Sequence, residues 1–220
     1  TLSLFQNLDI YIGAALSYNS PIKRRSEVVP MKKGSSMTVV RLAALAMMTA
    51  LVFVSNYLRI TIPINIGGNT SFTLANILCC LSGLLLGPIG GLASGLGSML
   101  FDFTDPRFFS EFWLTFLTKG AMGLGAGLVM YSAQKRSEGG YVRCLTGAIL
   151  GCVIYYILYF TKSYYYNALL VEGLQSGPAL VTLAAKIPAS LFNGIIAIAA
   201  APPLCLAIRQ GLKRSHLALN

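Results

Sequence analysis

Long apolar runs fill the sequence from about residue 38 onwards, and they constrain the fold more than any other feature. Several of them approach 20 residues, the length that an α-helix needs to cross the roughly 30 Å hydrocarbon layer of a bilayer. Charged residues make up only 11% of the chain, against about 25% in a typical soluble domain. The mean hydropathy of +0.67 agrees. The pattern predicts an all-α integral membrane protein with one folded domain.

We expect six transmembrane helices joined by short segments that contain glycine, proline or charge. The predicted spans cover about 38–58, 74–86, 89–103, 111–132, 142–165 and 178–206. The second and third are short and follow each other directly. Proline lacks the N–H that a helix interior uses, so Pro188 should kink the sixth span and Pro202-Pro203 should disturb its end.

The net charge of +10 could indicate a nucleic-acid-binding protein, but the basic residues form short clusters between apolar spans. The clusters are Lys32, Lys33 and Arg41; Lys135, Arg136 and Arg143; and Arg209, Lys213 and Arg214. With six spans, all three clusters fall on one side of the membrane, and the positive-inside rule makes that side cytoplasmic. We therefore expect a lipid bilayer rather than nucleic acid as the partner, with both chain termini in the cytoplasm.

The ends of the chain differ from the membrane domain predicted for residues 31–214. Met31 is followed by "KKGSSMTVV" and the first long apolar run, as at a natural start. Residues 1–30 are too polar for a confident span and lack the basic front and cleavage site of a signal peptide. They are predicted to be a poorly ordered extension, and residues 215–220 a short cytoplasmic tail.

Small residues recur at four-residue spacing in three of the spans. They are Gly87, Gly91 and Gly95 around the third, Gly123 and Gly127 in the fourth, and Ala46 and Ala50 in the first, with Ala43 one turn earlier. Such ladders let helix backbones approach closely in lipid. Ordinary packing within the bundle is the common explanation for the glycines, and the alanines form a smooth face near the cytoplasmic end.

Residues typical of catalytic or metal sites are sparse. The histidine count is one, His216 in the tail, and the motifs HExxH and GxSxG do not occur. The five cysteines lie in or beside apolar spans without a CxxC pair, as packing residues do. Asp102 and Asp105 flank a span end, where a turn or an ion pair is the common role. We expect neither an enzyme nor a metal or other cofactor.

Two stretches identify a resemblance: "LLLGPIGGLASGLGSMLFDF", and "EFWLTFLTKGAMGLGAGLV", preceded in the first span by "AMMTA". Over residues 31–214 the chain resembles the substrate-binding S component of an energy-coupling factor (ECF) vitamin transporter, in the riboflavin-transporter-like group. The resemblance implies a six-helix bundle in a prokaryotic cell membrane that binds one water-soluble vitamin from outside. It also implies partners: a transmembrane coupling subunit and two cytoplasmic ATPases. An unrelated small transporter or a structural membrane protein is the alternative.

The resemblance also implies roles for particular residues. The coupling subunit would dock on the alanine face of Ala43, Ala46 and Ala50. The loop of residues 60–72, which contains Asn69, would cover the substrate, with Asn76 at the start of the next span. Riboflavin is the first candidate substrate, and pyridoxine, the hydroxymethylpyrimidine of thiamin, pantothenate and folate stay open.

Three lysines interrupt the apolar spans. Lys119 lies eight residues into the fourth span, about 12 Å deep at 1.5 Å per residue, Lys186 lies at similar depth in the sixth, and Lys162 lies near the outer end of the fifth. A charge within a membrane usually faces the bundle interior or a wet cavity and indicates a functional site. The three lysines therefore predict a polar pocket in the outer half of the bundle.

Neighbours at helical spacing complete the predicted pocket. Tyr155, Tyr159, Lys162 and Tyr166 share one helix face, and so do Thr182, Lys186, Ser190 and Asn193. We predict Lys119, Lys186 and Asn193 as polar anchors and the first two tyrosines as a stacking wall. In the alternative interpretation, the lysines pair with Asp102, Glu111 or Glu172 or extend outward, and the tyrosines form an interfacial belt.

Overall fold

The computed structural model describes residues 39–64, 68–133 and 140–214, with side chains for all of these except 60–72, 133 and 213. The predicted N-terminal extension of residues 1–30 and the tail of residues 215–220 lie outside the described residues. So do four residues of the basic clusters: Lys32, Lys33, Lys135 and Arg136.

The described chain is built almost entirely from helices, as predicted. They are α1 (Val39–Tyr57), α2 (Ala75–Leu86), α3 (Gly90–Thr104), α4 (Phe112–Ala133), α5 (Gly140–Lys162) and α6 (Ser176–Arg214). Five continuous helical stretches in the described residues are long and apolar enough to cross a membrane. One of them, Ala75–Thr104, contains both α2 and α3.

The chain reverses direction between α2 and α3. Gly87 adopts a φ of 70°, a conformation that only glycine enters readily, and opens a short 3-10 turn, Gly87–Ile89. The Ser82 hydroxyl then donates to the carbonyl oxygen of Gly90 at 2.9 Å, and Cys79 Sγ lies 3.9 Å from Ser98 Oγ. These contacts show that α2 and α3 form an antiparallel helical hairpin.

A small β-hairpin corrects the prediction for residues 60–72, which were taken as a loop in an all-α fold. β1 (Arg59–Ile64) pairs antiparallel with β2 (Gly68–Thr73), so that Arg59 lies opposite Thr73 and Ile64 opposite Gly68. The sequences "RITIPI" and "GNTSFT" carry β-branched isoleucine and threonine residues, which suit a pleated strand. Twelve described residues between α1 and α2 therefore form regular β-structure.

The two longest helical segments extend beyond their predicted ends. α6 remains helical through Pro188, Pro202 and Pro203 as far as Arg214, so the disturbance expected near residue 206 was wrong. α5 continues as a π-helical segment, Ser163–Val171, and the N–H of Glu172 donates to the Asn167 carbonyl at 2.9 Å. π-helical turns are rare and often occur at functional sites.

Glycines place α2, α3 and α4 in backbone contact, as their spacing predicted. A Cβ on Gly83 would lie 2.1 Å from the carbonyl oxygen of Gly123, and one on Gly127 would lie 2.3 Å from the carbonyl of Gly87. We call these contacts, with those of Gly91, the glycine seam. All five cysteines are buried and free.

Candidate functional site

A cavity of about 320 Å³ opens at one end of the bundle. Because successive helices run in opposite directions, the C-terminal ends of α1, α3 and α5 meet the N-terminal parts of α2, α4 and α6 there. We call this the pocket end. The lining residues are Asn56, Arg59, Thr73, Asn76, Asp102, Arg107, Phe108, Glu111, Thr115, Thr118, Lys119, Tyr155, Tyr159, Lys162, Ser163, Asn167, Glu172, Lys186, Ser190 and Asn193.

Lys119 on α4 lies in the floor of the cavity and is only 7% exposed. Its ammonium group donates a hydrogen bond to Oδ1 of Asn76 on α2. The same nitrogen lies 4.5 Å from the centre of the Tyr155 ring. An amide oxygen and an aromatic face stabilise the buried cation, and no carboxylate pairs with it among the described residues.

Lys162 has a different environment. Its Nζ lies 2.7 Å from a carboxylate oxygen of Glu111 and donates to the Thr115 hydroxyl at 3.3 Å. This is the ion pair anticipated by the alternative interpretation of the lysines. Lys162 therefore both lines the cavity and holds the end of α5 against the start of α4.

The remaining predicted anchors lie on α6. Lys186 donates to the Ser163 hydroxyl at 3.3 Å, where the π-helical segment begins. The side-chain oxygen of Asn193 accepts a hydrogen bond from the backbone N–H of Thr73 at 3.2 Å. Asn193 thus joins the last residue of the β-hairpin to α6 at the cavity wall.

The two tyrosines predicted as a stacking wall lie side by side. The rings of Tyr155 and Tyr159 are 5.5 Å apart between centroids and inclined by 25°. Tyr166 lies outside the cavity lining, where its hydroxyl donates to the Ser110 carbonyl at 3.0 Å. Its ring packs edge-on against Trp113, so Tyr166 contacts another aromatic residue instead of the cavity.

Most of the predicted site residues lie together in the cavity. Those that line it are Asn76, Lys119, Tyr155, Tyr159, Lys162, Lys186, Ser190 and Asn193. Thr182 is outside the lining: it lies one turn before Lys186 on α6, and its hydroxyl donates to the Pro178 carbonyl at 3.1 Å. Asn69 lies in β2 opposite Pro63, and its side chain is outside the described part of the chain.

Sequence reasoning missed Arg59 and Asp102 as lining residues. The Arg59 guanidinium carbon lies 5.0 Å from the centre of the Phe101 ring and 4.8 Å from that of Phe108. Its buried Nε has no hydrogen-bond partner among the described residues. Asp102 is only 4% exposed. A signal was present in the sequence, since both charges adjoin the predicted ends of apolar spans.

The charges at the outer rim show two opposite electrostatic effects. Burial lowers the pKa of Arg59, and the nearby Asp102 carboxylate offsets part of that shift. At Asp105, hydrogen bonds from Arg107 lower the pKa of the carboxyl group, and the two form a 2.7 Å ion pair. Of the two aspartates at this span end, Asp105 has the predicted structural role, and Asp102 faces the cavity.

A model of the ECF-type riboflavin transporter S component family matches residues 36–210 of the chain. The chain belongs to this family. A solved structure, described as the structure and mechanism of the S component of a bacterial ECF transporter, is also similar. The match has 21% identity and a TM-score of 0.57, and it covers 79% of this chain and 97% of the other. No curated protein matches the sequence.

Membership makes this S component a multi-pass membrane transport subunit and not an enzyme. Its helical fold is shared with the solved S component. Ala43, Ala46 and Ala50 are exposed on α1, and none of them lines the cavity. Exposed Met47 and Leu51 flank them, so this side of the helix forms an apolar surface with small central residues.

Proposed function

We propose that this S component captures a water-soluble vitamin from outside the cell and delivers it to an ECF module for ATP-driven uptake. The observation that carries the proposal is the cavity at the pocket end, whose volume of about 320 Å³ lies within the range of small-molecule sites. The module would supply a transmembrane coupling subunit and two cytoplasmic ATPases. Riboflavin is the first candidate because it names the family, while pyridoxine, hydroxymethylpyrimidine, pantothenate and folate stay open.

The proposed topology is six membrane crossings with both termini in the cytoplasm of a prokaryote. The antiparallel α2–α3 hairpin supports six crossings, since each of its arms is a separate helix. The described carboxylates, Asp102, Asp105, Glu111 and Glu172, all lie at the pocket end. The described arginines of α1, α5 and α6 lie at the opposite end, which the positive-inside rule assigns to the cytoplasm.

Cysteine labelling tests this topology. The native cysteines are buried, so an impermeant thiol reagent should detect an introduced exposed cysteine. Gln175→Cys, at the pocket end, should react in intact cells, whereas Gln210→Cys should react only after the membrane is opened. The reverse pattern, or the same accessibility at both sites, would contradict the orientation.

Within the cavity, we propose Lys119, Lys186 and Asn193 as polar anchors and Tyr155 and Tyr159 as the wall against which a flat ring stacks. The anchors come from two helices that face each other across the cavity. Two of them are cations whose hydrogen-bond partners within the described ranges are neutral, and the third is an amide that joins the β-hairpin to α6. Asn76, Lys162 and Ser190 complete the proposed contact surface.

The alanine face is proposed as the docking surface for the coupling subunit. Small exposed residues on α1 would let a partner helix approach closely. The double variant Ala46→Trp/Ala50→Trp should therefore abolish vitamin uptake in cells that express the ECF module. It should leave vitamin binding to the isolated protein intact, because the alanines lie outside the cavity.

The matched control is Val54→Trp, which places the same bulk on an exposed residue of α1 nearer the pocket end. This variant should retain uptake. Normal uptake by the double tryptophan variant would contradict the docking assignment. Failure of the parent protein to co-purify with an ATPase pair would contradict the transport proposal as a whole.

A further inference from the structure

We infer that the molecule bound in this cavity is an organic anion, a flat heteroaromatic ring that carries a carboxylate or a phosphate. The inference rests on the proposed function and deepens it by naming the chemical class of the substrate, which favours an acidic or phosphorylated ligand over uncharged riboflavin itself. It comes from the balance of charge in the cavity and from the aromatic surfaces beside that charge.

Cations outnumber carboxylates in the lining. Five lining residues are basic, namely Arg59, Arg107, Lys119, Lys162 and Lys186, and three are acidic, namely Asp102, Glu111 and Glu172. Two of the cations form ion pairs of 2.7 Å: Lys162 with Glu111, and Arg107 with Asp105 beside the cavity. These are the ion pairs of the described part of the chain, so they leave Arg59, Lys119 and Lys186 without one.

Two acids are left for the three unmatched cations, and they are placed differently. Glu172 is exposed, so water solvates it at the rim. Asp102 is buried beneath the rim. The interior therefore contains three cations and one carboxylate, a surplus of two positive charges.

A surplus of this kind is costly in a membrane protein. Removing a charge from water carries a penalty of several kcal/mol unless a counter-charge and hydrogen bonds compensate for it. Lys119 has an amide oxygen and a ring, and Lys186 has one hydroxyl group. Neutral groups of this kind only partly replace water, so an anion that entered the cavity would gain attraction from both lysines.

Arg59 supplies an independent observation. Its guanidinium group faces the rings of Phe101 and Phe108, and its buried Nε–H has no acceptor in the described part of the chain. Buried donors are almost always satisfied in native proteins, and each exception calls for an explanation. A carboxylate or phosphate oxygen is the acceptor that guanidinium geometry fits best, and a bound anion would supply it.

The ring in the proposal follows from the neighbouring aromatic residues. Tyr155 and Tyr159 present nearly parallel rings to the cavity, and the Lys119 ammonium lies over the first of them. A flat ring on these tyrosines would lie beside a buried cation. Stacking and charge attraction would then act on two parts of one molecule, its ring and its acidic group.

The test uses the full-length protein in lipid nanodiscs and three pairs of probes that share a ring and differ in charge. The pairs are riboflavin and riboflavin 5′-phosphate, pyridoxine and pyridoxine 5′-phosphate, and nicotinamide and nicotinate. Binding is measured by calorimetry at neutral pH. At least one acid should bind ten times more tightly than its neutral partner, which is about 1.4 kcal/mol.

Variants identify the source of that preference. Arg59→Met and Lys186→Met should each reduce the acid-to-neutral affinity ratio several-fold, while Arg59→Lys, which keeps the charge, should retain most of it. Arg214→Met is the control, because it removes an exposed cation at the opposite end of α6 and should leave the ratio unchanged. Elution as a monodisperse peak shows that each variant is folded.

The inference would be overturned if no acid in the panel outperforms its neutral partner, or if the preference survives both methionine variants unchanged. A neutral vitamin that binds most tightly would also overturn it and would leave the proposed transport function standing. Failure to co-purify with an ATPase pair would contradict the proposed transport function. It would leave the inference about the anion standing, since the charge preference could still be measured in the isolated protein.

Discussion

The glycine seam and the pocket end show two ways of joining the same helices. At the seam, α2, α3 and α4 meet backbone to backbone, so that even a methyl group on Gly83 would collide with Gly123. At the pocket end the helices meet through long polar side chains, and a cavity of about 320 Å³ stays open between them. Direct backbone contact leaves no room for a ligand. Contact through side chains leaves a cavity and lines it with polar groups that can bind one.

The two regions are adjacent in the sequence, and one positions the other. Gly123 belongs to the part of the seam that lies on α4. Lys119 lies one turn before Gly123, about 6 Å along the helix axis. Because the seam fixes α4 against α2, it also fixes the ammonium of Lys119 against Asn76. Tight packing at one end therefore allows the other end to hold charges that lack ionic partners.

The largest effect is expected where the seam is broken. Gly83→Ala would place a Cβ 2.1 Å from the Gly123 carbonyl oxygen, and backbone atoms on both sides leave little scope for local relaxation. We expect a loss of about 3 kcal/mol of stability, the upper part of the range for overpacked cores. Thermal unfolding in detergent, followed by size-exclusion chromatography, measures it.

Gly177→Ala is the matched control, since no atom lies within 4 Å of a Cβ built there. It should leave the unfolding midpoint nearly unchanged. Equal midpoints for Gly83→Ala and the parent would show that the seam is looser than the structure indicates.

The next largest effect concerns ligand affinity. Lys119→Met keeps a long side chain but removes the cation bound to Asn76. With the vitamin identified by mass spectrometry of the purified protein, this variant should bind it at least ten times more weakly, about 1.4 kcal/mol. The folded yield should not change, because the seam is intact.

Thr182→Val is the control for Lys119→Met. Thr182 is buried, but its hydroxyl bonds to its own helix and it lies outside the cavity lining. Its affinity for the vitamin should equal that of the parent. If Lys119→Met binds as tightly as the parent, Lys119 has a structural role and the contacts of the ligand lie elsewhere.

The smallest effect is expected at the ion pair that closes one side of the cavity. The side chains of Lys162 and Glu111 are 10% and 17% exposed, so water screens the pair in part. Lys162→Met and Glu111→Gln should each reduce stability by about 1 kcal/mol, and the double variant by less than the sum. Thermal unfolding of all four proteins measures the coupling, and strictly additive losses would show that the pair does not stabilise the fold.

The sequence alone predicted the helical spans and the positions of Lys119 and Lys186 within them, because both depend on local quantities. Hydropathy determines where a span lies, and the rise of 1.5 Å per residue determines how deep Lys119 and Lys186 lie within it. The four-residue spacing of Gly123 and Gly127 likewise predicted close helix contact. Periodicity along one helix was enough for these features.

The remaining part of the cavity depends on contacts between distant segments. Arg59 joins the lining because the β-hairpin returns to α6, where Thr73 meets Asn193, and no pattern in either segment indicates that contact. The sequence could name the partner of Lys162 only as one of three carboxylates. The choice of Glu111 depends on the 3-10 turn that contains it, which places its carboxylate beside the Lys162 ammonium. Thr182 was predicted with the other residues of its helix face but lies outside the lining, since helical spacing specifies a face but not how far along it a cavity extends.

The α2–α3 hairpin has a consequence for the surrounding lipid. α2 has 12 residues and α3 has 15, so they rise about 18 Å and 22 Å, well below the roughly 30 Å of hydrocarbon in a typical bilayer. α2 is shielded by its neighbours, but α3 exposes Leu92, Leu100 and Phe103. In the proposed six-span topology, lipid beside α3 must thin to match it, at a fraction of a kcal/mol per Å of mismatch. The free energy of this protein in a bilayer should therefore depend on the thickness of the membrane, through its two shortest helices.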